Sequence, residues 1–252
     1  MSNNPLKSGL KERRKLAGFW LSLCSPISAE IAALSGADWL LVDMEHSPND
    51  LSQISDQLRA ASAGQAEVIV RPPFSELVMI KRLLDIGARN LMFPMIQSAE
   101  DARQAVSWTR YPPHGVRGVS LNARVNQYGR LKDYIQTYAD DLTVIVQVET
   151  PEAIANIPEI VAVEGVDAIF IGPADLAAAM GHVGKSGVSE VRAKILEGLQ
   201  LIHDAGLPAG ILGFGEDVAR GYFKDDGFDF VAVAGDTWLL ARGMDGMISA
   251  LK

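Results

Sequence analysis

Two carboxylates pose the first chemical question. In VQVETPEAI and FIGPADLAAAMG, Glu149 and Asp175 stand just past the ends of two apolar runs, Val144–Val148 and Ala168–Ile171. Such runs read as strands buried on both faces of a parallel sheet. A carboxylate at the tip of such a strand is costly to desolvate unless it is paired, hydrogen-bonded or bound to a cation. Two of them on successive strands point to a hard, oxygen-ligated divalent metal site of the Mg2+ or Mn2+ type. The remaining positions would be left to water and substrate oxygens. The plainer alternative is two helix N-caps, since TPEA and ADLA both open helices.

Other strand ends carry complementary chemistry. WLLVDMEHSPND places Asp43, Glu45 and His46 together, and a histidine there can serve as a general base oriented by a carboxylate such as Asp43. Its alternative is a loop residue facing solvent ahead of Pro48. Arg71 closes the apolar run EVIVRPP, where a guanidinium can hold a carboxylate or an enolate with two donors, or pair with Glu45 or Asp43 across the mouth of the fold. Gly172-Pro173-Ala174 brings backbone amides close to a ligand. Proline has no N–H, so the donors would be those of Ala174 and Asp175. Trp20, Gln147 and Leu212 lie within or at the ends of further strands, and Gly235-Asp236 follows another. A Schiff-base lyase would need a lysine on a strand, and none of the candidate strands contains one. No Ser-His-Asp elbow occurs, and the single Cys24 excludes an intramolecular disulfide framework.

The elements that must position these groups form a regular series. The strand candidates are Gly18–Leu23, Trp39–Asp43, Glu67–Arg71, Asn90–Met95, Thr143–Glu149, Asp167–Gly172, Ala209–Gly213 and Phe228–Ala234. Amphipathic segments separate most of them. SAEIAALSG carries a serine cap and a glycine stop, SELVMIKRLLDIG starts at Ser75 and stops at Gly87, and VSEVRAKILEGLQLIHDAG ends at Gly206. Strand–helix alternation implies right-handed crossovers and a parallel sheet. Eight units in 252 residues match an α/β fold of the (β/α)8 TIM-barrel type, a single domain over residues 1–252. The rival open doubly wound sheet lacks its GxGxxG and Walker signatures. Residues 1–17 are expected to supply a helix beneath the barrel, and 112–142 is longer than an ordinary connection.

Composition narrows the partners. A net charge of −8 without a basic run argues against nucleic acid and against anionic membrane. No apolar run approaches the roughly 18 residues of a bilayer span, and MSNNPLKSGLKERRK has no apolar stretch of a secretory signal. A small-molecule enzyme of the cytoplasm is the expectation.

Taken as a pattern, WLLVDMEHSPND, VIVRPP, IKRLLDIGARNLMFPMIQSAEDARQAV, RYPPHGVRG, VQVETPEAI and VEGVDAIFIGPADLAAAMGHVG resemble the HpcH/HpaI family of metal-dependent pyruvate aldolases, over about Gly18 to Ala241. The resemblance implies a barrel assembled as a homo-oligomer, usually a hexamer, with the last helix exchanged between subunits. It implies Glu149 and Asp175 as ligands of Mg2+, Mn2+ or Co2+, His46 in proton transfer with Asp43 near it, and Arg71 on the keto oxygen. Gln147 would line the pocket, with Trp20, Leu212, Gly172 and Pro173 around it. Ala174 and Asp175 would offer backbone donors to a pyruvate carboxylate, and Asp85 would approach the histidine from another subunit. The implied reaction is reversible aldol cleavage of a 4-hydroxy-2-oxo acid to an aldehyde and pyruvate, or hydroxypyruvate. VRGVSLNARVNQYG and LAAAMGHVG are similar to the branch acting on 2-dehydro-3-deoxyglucarate. The alternatives are a 4-hydroxy-2-oxoheptanedioate aldolase and a CoA-ester lyase of the citrate-lyase β type.

Overall fold

The computed structural model describes residues 4–252. Eight parallel strands close into a barrel in sequence order: β1 (Leu16–Leu21), β2 (Trp39–Asp43), β3 (Glu67–Arg71), β4 (Asn90–Phe93), β5 (Thr143–Val148), β6 (Ala168–Ile171), β7 (Ala209–Leu212) and β8 (Phe230–Gly235). The helices are α1 (Pro5–Lys11), α2 (Pro26–Ala33), α3 (Leu51–Ala60), α4 (Leu77–Asp85), α5 (Ala99–Thr109), α6 (Tyr134–Asp141), α7 (Pro151–Ala155), α8 (Ile157–Ile160), α9 (Pro173–Ala179), α10 (Ser189–Asp204), α11 (Glu216–Gly221) and α12 (Asp236–Ser249). All eight expected strands form, with ends displaced by at most a few residues. β2, β4, β5 and β6 are buried along their whole length, because helices cover the outer face and side chains fill the interior.

The interior is packed with large side chains, and two glycines make the room. A Cβ at Gly18 would lie 2.1 Å from the ring of Trp39, and one at Gly210 would lie 2.4 Å from Phe230. Trp39, Leu41, Ile69, Met92, Ile145 and Phe230 fill the space so released. The expected leading helix is α1, whose Leu6 and Leu10 lie one turn apart and join this interior cluster from below. The Asn4 side chain caps it and is itself buried, donating to Asn90 Oδ1 at 2.6 Å and Thr143 Oγ1 at 3.1 Å.

Two helix caps differ from the sequence expectation. Ser25, not a serine inside SAEIAALSG, caps α2 by accepting from the Ser28 N–H, because Pro26 is already the first helical residue. Glu76, not Ser75, caps α4 through the Met79 N–H. The stops at Gly87 and Gly206 hold, with φ of +97° and +80°. The long 112–142 segment is pinned by Arg117. This fully buried guanidinium lies 4.5 Å from the Tyr111 ring centre and 3.1 Å from Asp85 Oδ1. α12 buries no residue and presents Leu239, Leu240, Met244, Met247 and Ile248 to the outside.

Candidate active site

The register of β2 against β3 sets Asp43 beside Arg71 at the C-terminal rim. The two side chains meet as a fork, Arg71 Nε to Asp43 Oδ1 at 2.9 Å and Nη2 to Oδ2 at 2.7 Å. Asp43 accepts two further bonds, from the Glu45 N–H at 3.0 Å and from Trp20 Nε1 at 3.1 Å. Arg71 Nη1 lies 2.7 Å from Glu45 Oε2, and its guanidinium carbon sits 4.7 Å from the centre of the Trp20 ring. Two carboxylates and one indole thus fix the guanidinium: Asp43 accepts hydrogen bonds from two of its five N–H groups, and Glu45 adds an ion pair. Burial opposes the ionisation of Asp43, but the hydrogen bonds and charge of Arg71 outweigh it and hold that carboxyl below its ordinary value. Burial pushes Glu45 upward, against the pull of Arg71.

Glu149 follows β5 directly and is 1% exposed. Its oxygens accept from the Met95 N–H at 3.0 Å and from Gln147 Nε2 at 2.6 Å. Gln147 Oε1 is buried and has no hydrogen-bond partner among the described residues. Burial raises the Glu149 pKa to about 7. The Met95 bond opposes this, and the charges of Asp175 and Glu45 add to it. Thr150, not Glu149, caps α7, by accepting from the Ala153 N–H at 3.1 Å. Asp175 sits in the first turn of α9, which Gly172 precedes as the cap. Its carboxylate is exposed and makes no hydrogen bond among the described residues. The simple capping explanation therefore fails for Glu149. Gly172 must be glycine for a steric reason: a Cβ there would lie 2.3 Å from Glu149 Oε2 and 2.9 Å from Gln147 Nε2.

One cavity of about 250 Å³ at this rim collects Trp20, Asp43, His46, Arg71, Gln147, Gly172, Pro173, Ala174, Asp175 and Leu212. Glu149 lies immediately behind Gly172. His46 is exposed at the mouth, and every bond of the Asp43 carboxylate goes to Arg71, Trp20 or the Glu45 N–H, none to the histidine. Asp85 stands apart, paired with Arg117 on the outer helix layer. The same cavity is lined by Ser22, Phe170, Phe214, Gly235 and Thr237, which the sequence reading did not assign. The strand period would have found three of them: Ser22 lies two residues after Trp20, Phe170 two before Gly172, and Phe214 two after Leu212. A larger groove of about 1200 Å³ lies at the opposite end, around Arg14, Asp38, Glu67 and Arg124, away from these groups.

Barrel and rim together define an enzyme site in the place where (β/α)8 folds carry them. Residues 16–242 match the HpcH/HpaI aldolase/citrate lyase family. A 4-hydroxy-2-oxo-heptane-1,7-dioate aldolase of Klebsiella pneumoniae is 48% identical over 97% of this chain and 92% of its own length. The protein of that name from Escherichia coli is 46% identical over 97% and 93%. The crystal structure of an HpcH/HpaI aldolase/citrate lyase family protein from Burkholderia cenocepacia J2315 superposes with a TM-score of 0.95 at 39% identity, covering 99% of both chains. The chain belongs to the HpcH/HpaI family and is a carbon–carbon lyase of the aldolase type.

Proposed function

We propose that the chain catalyses reversible aldol cleavage of 4-hydroxy-2-oxo acids to pyruvate and an aldehyde, with a divalent cation held by Glu149 and Asp175. The observation that carries this reading is the meeting, at one rim, of Arg71 with an excess of acids: Asp43 and Asp175 line the cavity with it, Glu45 pairs with it from a neighbouring cavity, and Glu149 lies behind Gly172. The donor set fits a hard cation. It offers carboxylate oxygens with the unpartnered amide oxygen of Gln147 beside them, and burial, helped by the charges of Asp175 and Glu45, holds Glu149 at about 7. Mg2+, Mn2+ and Co2+ all suit such oxygens. When bound, the cation supplies Lewis acidity toward the 2-keto group.

The side chains do the rest. The free N–H groups of Arg71 hold the keto oxygen and meet the negative charge that grows on it. Trp20, Asp43 and Glu45 keep the guanidinium from turning away. The amides of Ala174 and Asp175, at the open N-terminal turn of α9, receive the substrate carboxylate. His46 takes the proton of the 4-hydroxyl. The C3–C4 bond then breaks, its electron pair passes into the enolate, and the aldehyde leaves. Return of a proton to C3 gives pyruvate. Trp20, Phe170 and Leu212 wall this space with apolar surface and exclude water from the enolate.

The relatives named above carry the activity on 4-hydroxy-2-oxo-heptane-1,7-dioate, the alternative weighed beside the sugar acid. Both compounds belong in the test, with pyruvate and hydroxypyruvate as partners in the addition direction. Cleavage that stops in chelator and returns with Mg2+, Mn2+ or Co2+ supports the reading. Full activity in excess chelator, with an adduct trapped by borohydride, refutes it. The apolar outer face of α12 supports a closed homo-oligomer, a hexamer, with Asp85 reaching a neighbour's His46. Light scattering should then give several times 27.1 kDa.

A further inference from the structure

The proposed chemistry occupies one side of the cavity. Asp43, Arg71, Gln147 and Asp175 come from the ends of β2, β3, β5 and β6. The part of a substrate beyond the cleaved bond must extend to the other side, formed by the ends of β7, β8 and β1. There the lining is Trp20, Leu212 and Phe214, together with two hydroxyl residues, Ser22 and Thr237. Among the described residues lining this side, none is a lysine or an arginine.

The two hydroxyl residues are held by their backbones. The Ser22 N–H donates to Asp236 Oδ1 at 2.9 Å, and the Thr237 N–H donates to the same oxygen at 2.8 Å. The other oxygen of Asp236 accepts from the Leu23 N–H at 3.2 Å and the Ser28 hydroxyl at 2.7 Å. One carboxylate therefore gathers the turn after β1 and the start of α12 around a single point. The Ser22 and Thr237 hydroxyls themselves have no hydrogen-bond partner among the described residues, so both are available to a ligand.

We infer that Ser22 and Thr237 set the aldehyde specificity of the site. They select a hydroxyaldehyde over the alkyl aldehyde of the same length. This rests on the aldolase reading above and names the other half of its substrate. A wall that hydrogen-bonds a substrate hydroxyl discriminates against the analogue lacking it, because its own polar groups then go unpaired. The apolar surface of Trp20, Leu212 and Phe214 takes the carbon chain of either aldehyde and does not discriminate.

The test is the ratio of kcat/KM for glyceraldehyde to that for propanal, in addition to pyruvate. Wild type should favour glyceraldehyde. Ser22→Ala and Thr237→Val should each lower the ratio by about 10-fold, roughly the worth of one hydrogen bond. Thr237→Ser, which keeps the hydroxyl, should restore it. An unchanged ratio in Ser22→Ala and Thr237→Val overturns the assignment. So does a wild-type enzyme that prefers propanal to glyceraldehyde. Exchange of the C3 protons of pyruvate by the wild-type protein with Mn2+ separates the two levels. If exchange is absent, the aldolase reading falls and the specificity assignment with it. If exchange is present and the ratio does not move, only the specificity assignment falls.

Discussion

At the N-terminal end of the barrel, Asn4, Glu67, Arg89, Asn90 and Thr143 bond to one another. Arg89 reaches both oxygens of Glu67 at 2.5 and 3.0 Å, and Asn90 links Glu67 to Asn4. At the C-terminal end, the same strands β3 and β5 contribute Arg71 and Gln147. Here one guanidinium pairs with Asp43 and Glu45, while two further carboxylates, Glu149 and Asp175, stand at the same rim. The lower end matches acid to base and donor to acceptor, so its buried polar groups are compensated. The upper end leaves Gln147 Oε1 without a partner and a carboxyl with a pKa near 7. Two ends of one sheet thus separate stability from function. The end with uncompensated negative charge is the one built to receive something.

The sharpest way to break that contrast is at Arg71. Arg71→Ala removes the only guanidinium that lines the rim cavity among the described residues and should lower the cleavage rate by about 10²–10³, the usual loss when a charged donor to a developing oxyanion is removed. Steady-state kinetics measures this directly. Oxalate, a planar mimic of the enolate, should bind the wild type tightly and the variant poorly. Equal oxalate affinity in the two proteins contradicts the role.

Glu149 gives the next effect, on stability and in a stated direction. Its pKa in the fold, about 7, lies above the 4.5 of an unperturbed glutamate. The fold therefore prefers the protonated acid. That contribution is fully present below about pH 4.5 and is lost as pH rises through about 7, on the order of 3 kcal/mol for the metal-free protein. Glu149→Gln should remove this dependence, so the metal-free variant should resist urea better than wild type at pH 8 and equally at pH 4. Addition of Mn2+ to wild type at pH 6 should release a proton, read as a buffer-dependent heat in calorimetry. Parallel pH profiles for variant and wild type would count against the uncompensated-acid account.

The lower end predicts the reverse pattern. Asn90 is fully buried, accepts from Asn4 at 2.6 Å, and donates to the Val68 carbonyl at 3.0 Å and to Glu67 at 3.2 Å. Asn90→Ala strands those partners and should cost about 2 kcal/mol in urea unfolding, with kcat/KM unchanged. A loss of activity larger than the loss of folded protein would show that the two ends are not separable.

Much of this was legible in the chain before the fold. Apolar runs broken by capped helices gave the barrel, because burial on both faces writes a continuous hydrophobic signal. Glu149, Asp175, Arg71 and Gln147 stood out as polar residues at the ends of such runs. The partner of Asp43 was harder. The sequence offered it two partners, His46 beside it in the chain and Arg71 across the mouth, and its carboxylate turns to Arg71 and to the unforeseen Trp20, since strand register and the alternation of side chains decide which groups share the interior. Asp236 was visible as the residue after β8, yet its grip on Ser22 and Ser28 depends on β8 closing against β1, a contact between the two ends of the chain. The Ser75 cap was misread for a local reason: Glu76 next to it offers an oxygen at the right distance from the Met79 N–H.

Ser75 also supplies the smallest and most discriminating effect. Its hydroxyl is buried at the upper end without a partner among the described residues, as Gln147 Oε1 is. The two differ in what they face. Gln147 lines the rim cavity and donates to Glu149 at 2.6 Å, whereas Ser75 lies behind the β3–α4 turn in a separate cavity with Glu45, Phe74, Met95 and Trp108 and bonds to no acid among the described residues. If an unpaired polar atom alone marked a site, both should matter to catalysis. If the mark is an unpaired atom joined to uncompensated charge, only Gln147 should. Ser75→Ala removes a hydroxyl that gains nothing in the fold. It should leave kcat/KM unchanged and shift stability by less than about 1 kcal/mol, toward the more stable side. Gln147→Leu, by contrast, deletes the donor to Glu149 and an acceptor facing the proposed cation, and should weaken Mn2+ binding in direct titration. Unimpaired Mn2+ binding in Gln147→Leu, or a catalytic defect in Ser75→Ala, would show that the upper end draws its function from something other than its unmatched acids.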